Sequence, residues 1–173
     1  MSELEEFRAE KDVFFKEDPH SPLSEDQKEA FDGLAYFPQN PDLVFEGDLD
    51  TNVPLDEVHM TTSTGDDQIY TRAGKLHFEV EGTKVEVTLY ASQDDPELFL
   101  PFRDATSGKE SYGAGRYVEV HDVHGDHVVV DFNTAYNPNC AYNSRWSCPL
   151  PPGENWLAVP IEAGEKSFPG AAH

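Results

Sequence analysis

The chain has 173 residues and a formal net charge of -22, because 34 acidic side chains stand against only 12 Lys and Arg. This balance excludes a nucleic-acid binder that works through a basic surface, and it argues against anionic membranes as a partner. Hydrophobic residues make up 38% of the chain and aromatic residues 12%. That content excludes a disordered acidic tail and is sufficient for a hydrophobic core.

The start of the chain has a helical pattern. Apolar residues within 3–17 recur among charged ones, which predicts an amphipathic helix that ends before Pro19. Ser24 with Gln27 three positions later is a capping-box pattern, and it predicts a second, short helix over 25–32.

From residue 43 onward the hydrophobic period changes to two, which is typical of strands. Glycine-containing turns at Gly65, Gly74, Gly82 and Gly125 separate these segments, and the segments around Gly74 and Gly82 indicate consecutive hairpins. The predicted strands cover residues 43–45, 57–62, 68–72, 75–80, 84–91, 98–102, 116–122, 127–132 and 156–161.

These elements predict an α+β fold that is mainly β: an antiparallel β-barrel or curled sandwich with two short N-terminal helices packed on it. We expect residues 1–173 to form a single domain, with 1–38 as a helical N-terminal appendage and 43–168 as the antiparallel barrel. The pattern leaves monomer and homodimer equally open.

The acidic residues are spread along the chain rather than clustered. We interpret them as the solvated coat of a salt-adapted protein, which predicts a halophilic archaeal source and a melting temperature that rises with potassium chloride. A cation-binding or nucleic-acid-mimicking surface is the alternative. No Asp or Glu occurs from Phe132 to Gly153, so we expect this acid-free segment to be buried or to face something other than water.

The N-terminal sequence lacks the cationic start and apolar run of a signal peptide, and no stretch approaches a membrane-spanning length. We therefore expect a cytoplasmic protein. In that compartment Cys140 and Cys148 are expected to be thiols rather than a disulfide.

A basic loop follows the predicted strand 98–102. It contains Arg103, Lys109 and Arg116 together with several glycines, which favours an anchor for an anionic ligand. In the alternative, the loop is structural: its glycines serve turn geometry, and an arginine pairs with Asp104 or Glu110.

A second group consists of aromatic and amide side chains in and near the acid-free segment. Stacking faces beside neutral hydrogen-bonding groups are typical of a pocket for a polar ligand. Buried asparagines that satisfy backbone groups are the alternative. The residues concerned are Tyr112, Tyr136, Asn137, Asn139 and Tyr142.

The two cysteines are only weak candidates for metal ligands. Seven residues separate Cys140 from Cys148, whereas structural zinc sites use paired CxxC motifs. His121, His124 and His127 on the neighbouring hairpin could complete a site, but their alternation near a turn favours solvent exposure.

Asp104 and Glu154 are the candidate general bases if the protein is an enzyme, since each lies next to one of these groups. Glu154 could equally be the carboxylate partner of Arg103 or Arg116. The proline-rich residues 148–152 before it indicate a rigid strap.

Short motifs run through the second half of the chain. They are Thr106, Tyr112-Gly113, Gly115-Arg116-Tyr117, Asp131-Phe132-Asn133, Tyr136-Asn137-Pro138, Cys140-Ala141-Tyr142, Cys148-Pro149-Leu150-Pro151-Pro152, Glu154-Asn155 and Ala163-Gly164-Glu165-Lys166. Together they resemble an uncharacterised bacterial and archaeal family, domain-of-unknown-function family 1684, with Ser111 where a Thr is usual. The resemblance extends over nearly the whole chain and brings no established activity. It implies that the two groups above surround one shared site or one shared core.

The sequence thus favours a protein that binds a small anionic or polar molecule, with or without chemistry, and it identifies no cofactor. A non-enzymatic structural or interaction module is the first alternative, in which the motif residues lock loops onto the barrel. A flavin-binding small barrel is the second.

Overall fold

The computed structural model describes residues 3–92, 97–143 and 146–169, and it begins with two helices, α1 (Glu3–Glu17) and α2 (Glu25–Ala30). The capping box is present: the Ser24 hydroxyl accepts from the Gln27 backbone N–H, and the Gln27 side chain accepts from the Ser24 N–H. Phe15 of α1 packs edge-on against the Tyr142 ring at a centroid distance of 5.0 Å, which attaches the helices to the acid-free segment. Among the described residues, no helix has the length and apolar character needed to cross a membrane.

Within the described residues, eight strands form two antiparallel sheets. One sheet has the order β2-β3-β4-β5-β6 and the other the order β1-β8-β7. The strands are β1 (Val44–Asp48), β2 (Glu57–Thr61), β3 (Asp67–Val80), β4 (Thr83–Ala91), β5 (Leu98–Phe102), β6 (Arg116–Val120), β7 (Val123–His124) and β8 (His127–Asp131).

The two sheets enclose one apolar core, to which almost every strand contributes β-branched or aromatic side chains. Val87 and Leu89 of β4 are fully buried, as are Val128 and Val130 of β8, so residues two apart on each strand face this core. The sheets do not close into a barrel in the described part of the chain. The mainly β prediction is confirmed in its curled-sandwich form.

Gly74 does not form a turn, contrary to the prediction. β3 continues through it with a shift of register against β4 between Arg72 and Gly74, which is a β-bulge. Its φ is 152°, and a Cβ there would lie 3.0 Å from Leu49 Cβ and 3.1 Å from the Asp50 carbonyl oxygen. Glycine is needed because the backbone of another segment passes close to the bulge.

The predicted last strand, residues 156–161, is wrong in type. The segment runs extended beside residues 103–105, where Leu157 N–H donates to the Arg103 carbonyl at 2.8 Å and Ala105 N–H donates to the Val159 carbonyl at 3.0 Å. Pro160 has no N–H to donate, so the segment is an extended connection rather than a strand of a ladder.

Candidate functional site

Some of the predicted site residues lie in two groups, together with residues that were not predicted. One surrounds two buried charged side chains, and we name it the Arg116–Glu165 network: Arg116, Asp104, Glu165, Tyr142 and Lys11. The other surrounds the two thiols, and we name it the cysteine cluster: Cys140, Cys148, Tyr112, Tyr117 and Tyr136.

Arg116 lies inside the protein, with 0% of its surface exposed. Its guanidinium donates to the carbonyl oxygens of Ile161 at 2.8 Å, Ala163, and Glu165 at 3.1 Å, and it lies 3.5 Å from Asp104 Oδ1. Burial lowers the pKa of Arg116, while the Asp104 charge acts in the opposite direction. Arg116 therefore joins β6 to residues 161–165, as the structural-loop alternative predicted, and does not face an external anion.

The glycine before Arg116 is required by the same packing. Gly115 has φ 108°, and a Cβ there would lie 2.5 Å from the Phe102 carbonyl oxygen and 2.9 Å from Pro151 Cγ. It serves close backbone approach within the protein, and the predicted role in admitting a ligand is not needed to explain it.

Asp104 is committed to local contacts. Its carboxylate accepts from Thr106 Oγ1 at 2.8 Å, from Ser107 Oγ at 3.2 Å and from the Ile161 N–H at 2.6 Å, besides its contact with Arg116. These donors hold the loop after β5 against the extended segment 156–161. With them in place, the carboxylate is a structural anchor rather than an available general base.

Glu165 is a buried carboxylate that the sequence analysis did not single out as a site residue. It is 1% exposed, contacts Lys11 Nζ at 2.5 Å and accepts a short hydrogen bond from the Tyr142 hydroxyl. Burial and the Glu165 charge raise the pKa of Tyr142 well above its usual value. The sequence did carry one sign that Glu165 is buried, namely the small residues directly before it. Gly164 has to be small because a Cβ there would lie 2.6 Å from the Ala135 carbonyl oxygen.

The two predicted asparagines have different surroundings. Asn137 is buried, and its side-chain NH2 donates to the Lys166 carbonyl at 2.9 Å, which ties the acid-free segment to the end of the network. The Asn139 side chain is exposed, and the backbone carbonyl of Asn139 accepts from the Tyr142 N–H at 3.0 Å. The two asparagines therefore do not line one common site.

The three basic residues of the loop are not brought together. Arg103 stacks over the exposed Trp156 ring at 4.7 Å, and the Lys109 side chain is exposed. Glu154 pairs with neither predicted arginine. It accepts from Arg72 Nε at 3.1 Å and from the Tyr90 hydroxyl, because the proline-rich strap 148–152 before it places it beside β3 and β4.

In the cysteine cluster, both residues are buried free thiols. The Cys140 N–H donates to Cys148 Sγ at 3.3 Å, and the Tyr112 hydroxyl lies 3.7 Å from Cys140 Sγ. The Tyr117 and Tyr136 rings meet edge to face at 5.8 Å and cover the cluster.

The two thiols have different acidities. Contacts with the Cys148 thiol, and then with the Tyr112 and Ser63 side chains, lower the pKa of Cys140 to about 6, against the effect of burial. The negative sulfur of Cys140 and burial raise the pKa of Cys148. The contacts around the pair therefore favour ionisation of Cys140 before Cys148.

The histidines lie away from the thiols. His121 contacts Glu97 at 2.5 Å, and His127 lies 3.0 Å from Asp48, so the weakly predicted zinc site is not assembled in the described part of the chain. One group of three potential metal ligands occurs there, Glu97, Glu119 and His121, and it is largely exposed.

A groove lies between α1 and the ends of β6 and β8, and we name it the Tyr136 groove. It has a volume of about 410 Å³. The Tyr136 hydroxyl donates to Glu119 Oε1 at 2.8 Å at its edge. The lining residues are Glu3, Leu4, Phe7, Glu119, His121, Asp131, Thr134 and Tyr136.

Comparison with known proteins supports the resemblance seen in the motifs. Residues 29–166 match a family described as "Protein of unknown function (DUF1684)". The solution NMR structure of an uncharacterized protein of Haloarcula marismortui is similar, with a TM-score of 0.71, 38% identity, and coverage of 94% of this chain and 91% of that chain. No curated protein matches the chain.

Proposed function

We propose that this chain, which belongs to the DUF1684 family of proteins of unknown function, binds a small polar molecule carrying a positive charge in the Tyr136 groove. The observation that carries the proposal is the composition of the groove wall, in which carboxylates stand beside an exposed aromatic surface. Its volume of about 410 Å³ is that of a small-molecule site.

The charge of the ligand follows from the charge of the wall. Glu119, Asp131 and Glu3 line the groove together with His121. An anion would meet repulsion there, and Arg116, which the sequence suggested as its anchor, is fully buried. A protonated amine would be attracted. Of the anionic or polar ligands favoured by the sequence, the proposal therefore keeps the polar ones and drops the anionic ones.

An apolar part of the ligand would cover the rest of the wall. Phe7 is 52% exposed and lies with Leu4 on the helix side of the groove. The Tyr136 ring offers a face for cation–π contact, as it already does for Lys11 Nζ at 5.1 Å from the ring centroid. An arylalkyl amine combines the two features.

Phenethylamine is the probe, with phenylacetate as its anionic counterpart and 2-phenylethanol as the neutral one, each titrated by ligand-observed NMR. We expect phenethylamine to bind best. Glu119→Gln should weaken it by roughly threefold, because the carboxylate is half exposed and screened. Glu57→Gln, which removes an exposed acid on β2 outside the groove, is the matched control.

Equal binding of phenylacetate would refute the assigned charge, and an unchanged affinity in Glu119→Gln would refute the assigned place. If none of the three probes binds, the structural or interaction module becomes the better interpretation. The closed Arg116–Glu165 network favours that alternative, because its side chains hold segments of the chain together.

The flavin-binding alternative requires a coloured protein, so a purified sample without visible flavin absorbance eliminates it. A halophilic archaeal source, expected from the acidic coat, is supported by the similarity to the Haloarcula marismortui protein. The cytoplasmic location stays a prediction from the sequence.

A further inference from the structure

The two thiols of the cysteine cluster come from separate backbone segments that contact each other directly. Cys140 lies in a short 3-10 turn, Asn139–Ala141, and Cys148 lies at the start of the proline-rich strap. The Cys140 N–H donates to Cys148 Sγ at 3.3 Å, so the backbone of one residue holds the sulfur of the other.

The end of β2 fixes the strap in this position. The Ser63 N–H donates to the Cys148 carbonyl at 2.9 Å, and the Cys148 N–H donates to the Ser63 hydroxyl at 3.2 Å. Leu150 N–H continues the pairing by donating to the Thr61 carbonyl at 2.9 Å. Cys148 is therefore anchored on both of its backbone groups, which keeps its side chain against Cys140.

The hydrogen-bond donors around the pair favour an asymmetric state. Contacts with Cys148, with the Tyr112 hydroxyl 3.7 Å from Cys140 Sγ, and with Ser63 lower the pKa of Cys140 to about 6. At neutral pH the cluster thus contains a nucleophilic sulfur with a protonated thiol beside it. This is the arrangement of an attacking cysteine with a resolving one.

We propose that Cys140 and Cys148 form a reversible dithiol–disulfide site, oxidised by a small hydroperoxide, with Cys140 attacking and Cys148 resolving. Both residues are buried among aromatic rings, so we expect the smallest oxidants, such as hydrogen peroxide, to reach them faster than larger reagents do. The inference does not depend on the ligand of the Tyr136 groove.

The chemistry balances in two steps. The Cys140 thiolate attacks one peroxide oxygen and breaks the O–O bond; the leaving hydroxide takes a proton and departs as water, which leaves a sulfenic acid. Cys148 sulfur then attacks the Cys140 sulfur and breaks its S–O bond, and the hydroxide leaves as a second water with the Cys148 proton. Two thiols have given two electrons to the peroxide, and an external dithiol reverses the oxidation.

A metal does not explain the cluster as well. In the part of the chain that the structure describes, the group of three potential ligands does not include either cysteine. Two sulfurs without a third ligand fall short of a closed zinc site. Redox chemistry needs only the pair.

The experiment treats full-length protein with a small molar excess of hydrogen peroxide, blocks the remaining thiols with an alkylating agent and records the intact mass. We expect the wild type to lose both reactive thiols together with two hydrogens, and to regain them with dithiothreitol. Cys148→Ala should stop at a sulfenic acid on Cys140 that dimedone traps, whereas Cys140→Ala should leave Cys148 unoxidised.

Tyr112→Phe provides a measurement that does not require removal of either sulfur. It should shift the pH midpoint of Cys140 alkylation upward and slow the oxidation more at acidic than at alkaline pH. Near-ultraviolet circular dichroism verifies that each variant is folded. Two unoxidised thiols in folded wild type, equal reactivity of the two cysteines in the single variants, or disulfides only between molecules would each overturn the proposal.

Discussion

The Arg116–Glu165 network and the cysteine cluster are joined by two residues of one turn, since Tyr142 belongs to the first and Cys140 to the second. In the network, each buried charge meets an opposite charge or an aligned carbonyl oxygen, as Arg116 does with three carbonyls. In the cysteine cluster, neutral hydroxyl and thiol donors surround one ionisable sulfur.

Because of this difference, we expect the Arg116–Glu165 network to contribute stability and the cysteine cluster to contribute reactivity. A buried charge that is saturated with strong partners is a fixed cross-link, and its removal leaves its partners uncompensated. A thiolate held by weaker donors can exchange them during a reaction. The acid-free segment contributes to both regions, so the absence of acids reports burial without telling which kind of chemistry is buried.

The largest expected effect is that of Arg116→Met. The substitution removes the donor of three carbonyl oxygens and leaves the buried Asp104 carboxylate without its opposite charge, so we expect the free energy of unfolding to fall by about 3–5 kcal/mol. Denaturant unfolding at a fixed, high potassium chloride concentration measures it. Arg116→Lys should recover only part of the loss, because an ammonium cannot reach the three carbonyls as a planar guanidinium does.

Arg103→Met is the matched control, since Arg103 stacks on an exposed ring at the surface and should cost less than about 1 kcal/mol. Similar losses for the two arginines would contradict the distinction between a saturated interior charge and a surface contact.

A smaller effect is expected for Tyr142→Phe. The Tyr142 hydroxyl donates to the buried Glu165 carboxylate, and loss of a hydrogen bond to a charged group should lower the free energy of unfolding by about 2 kcal/mol. Tyr112→Phe in the cysteine cluster removes a weak contact with sulfur and should cost less. The reverse order, measured by the same denaturation, would show that the comparison between the regions is wrong.

A further effect, comparable in size to that of Tyr142→Phe, is a pH dependence of stability from Cys140. Its folded-state pKa of about 6 lies below the usual value of 9.0, so between these values the unfolded state binds more protons and stability rises with pH. The contribution is fully present above the unfolded pKa and is lost as the pH falls through about 6.

We therefore expect the stability difference between the wild type and Cys140→Ser to grow from about pH 6 to about pH 8, measured by denaturant unfolding under reducing conditions. Cys148→Ala removes the strongest donor, so the slope should decrease in that background. A difference that is flat with pH, or that shrinks as the pH rises, would argue against a thiolate at Cys140.

The local elements of the fold could be predicted because their signals are local. The capping box of Ser24 and Gln27 determines where α2 begins, and alternation along β8 reports its buried face. Gly74 and residues 156–161 could not be predicted, because both depend on another segment. A glycine gives the same sequence signal in a turn and in a bulge. An extended apolar segment has the pattern of a strand whether or not it pairs with a neighbouring strand.

For the site, the residue types were informative but their direction was not. Arg116, Asp104 and Asn137 were predicted from the sequence as chemically distinctive, yet burial turns them toward the protein rather than toward a ligand. Glu165 was missed as a site residue because one acid in so acidic a chain stands out only through its contacts. Pairing across 154 positions, as between Lys11 and Glu165, leaves no mark in a local pattern.

The carbonyl oxygens that accept hydrogen bonds from Arg116 also constrain the order of folding during synthesis. They belong to residues that follow Arg116 by 45 to 49 positions, so a ribosome delivers them on the order of a few seconds after the arginine. Until they emerge, the guanidinium has to stay hydrated, and β6 cannot bury it at its final place. We therefore expect β6 to reach its buried position only after residues 161–165 have been synthesised.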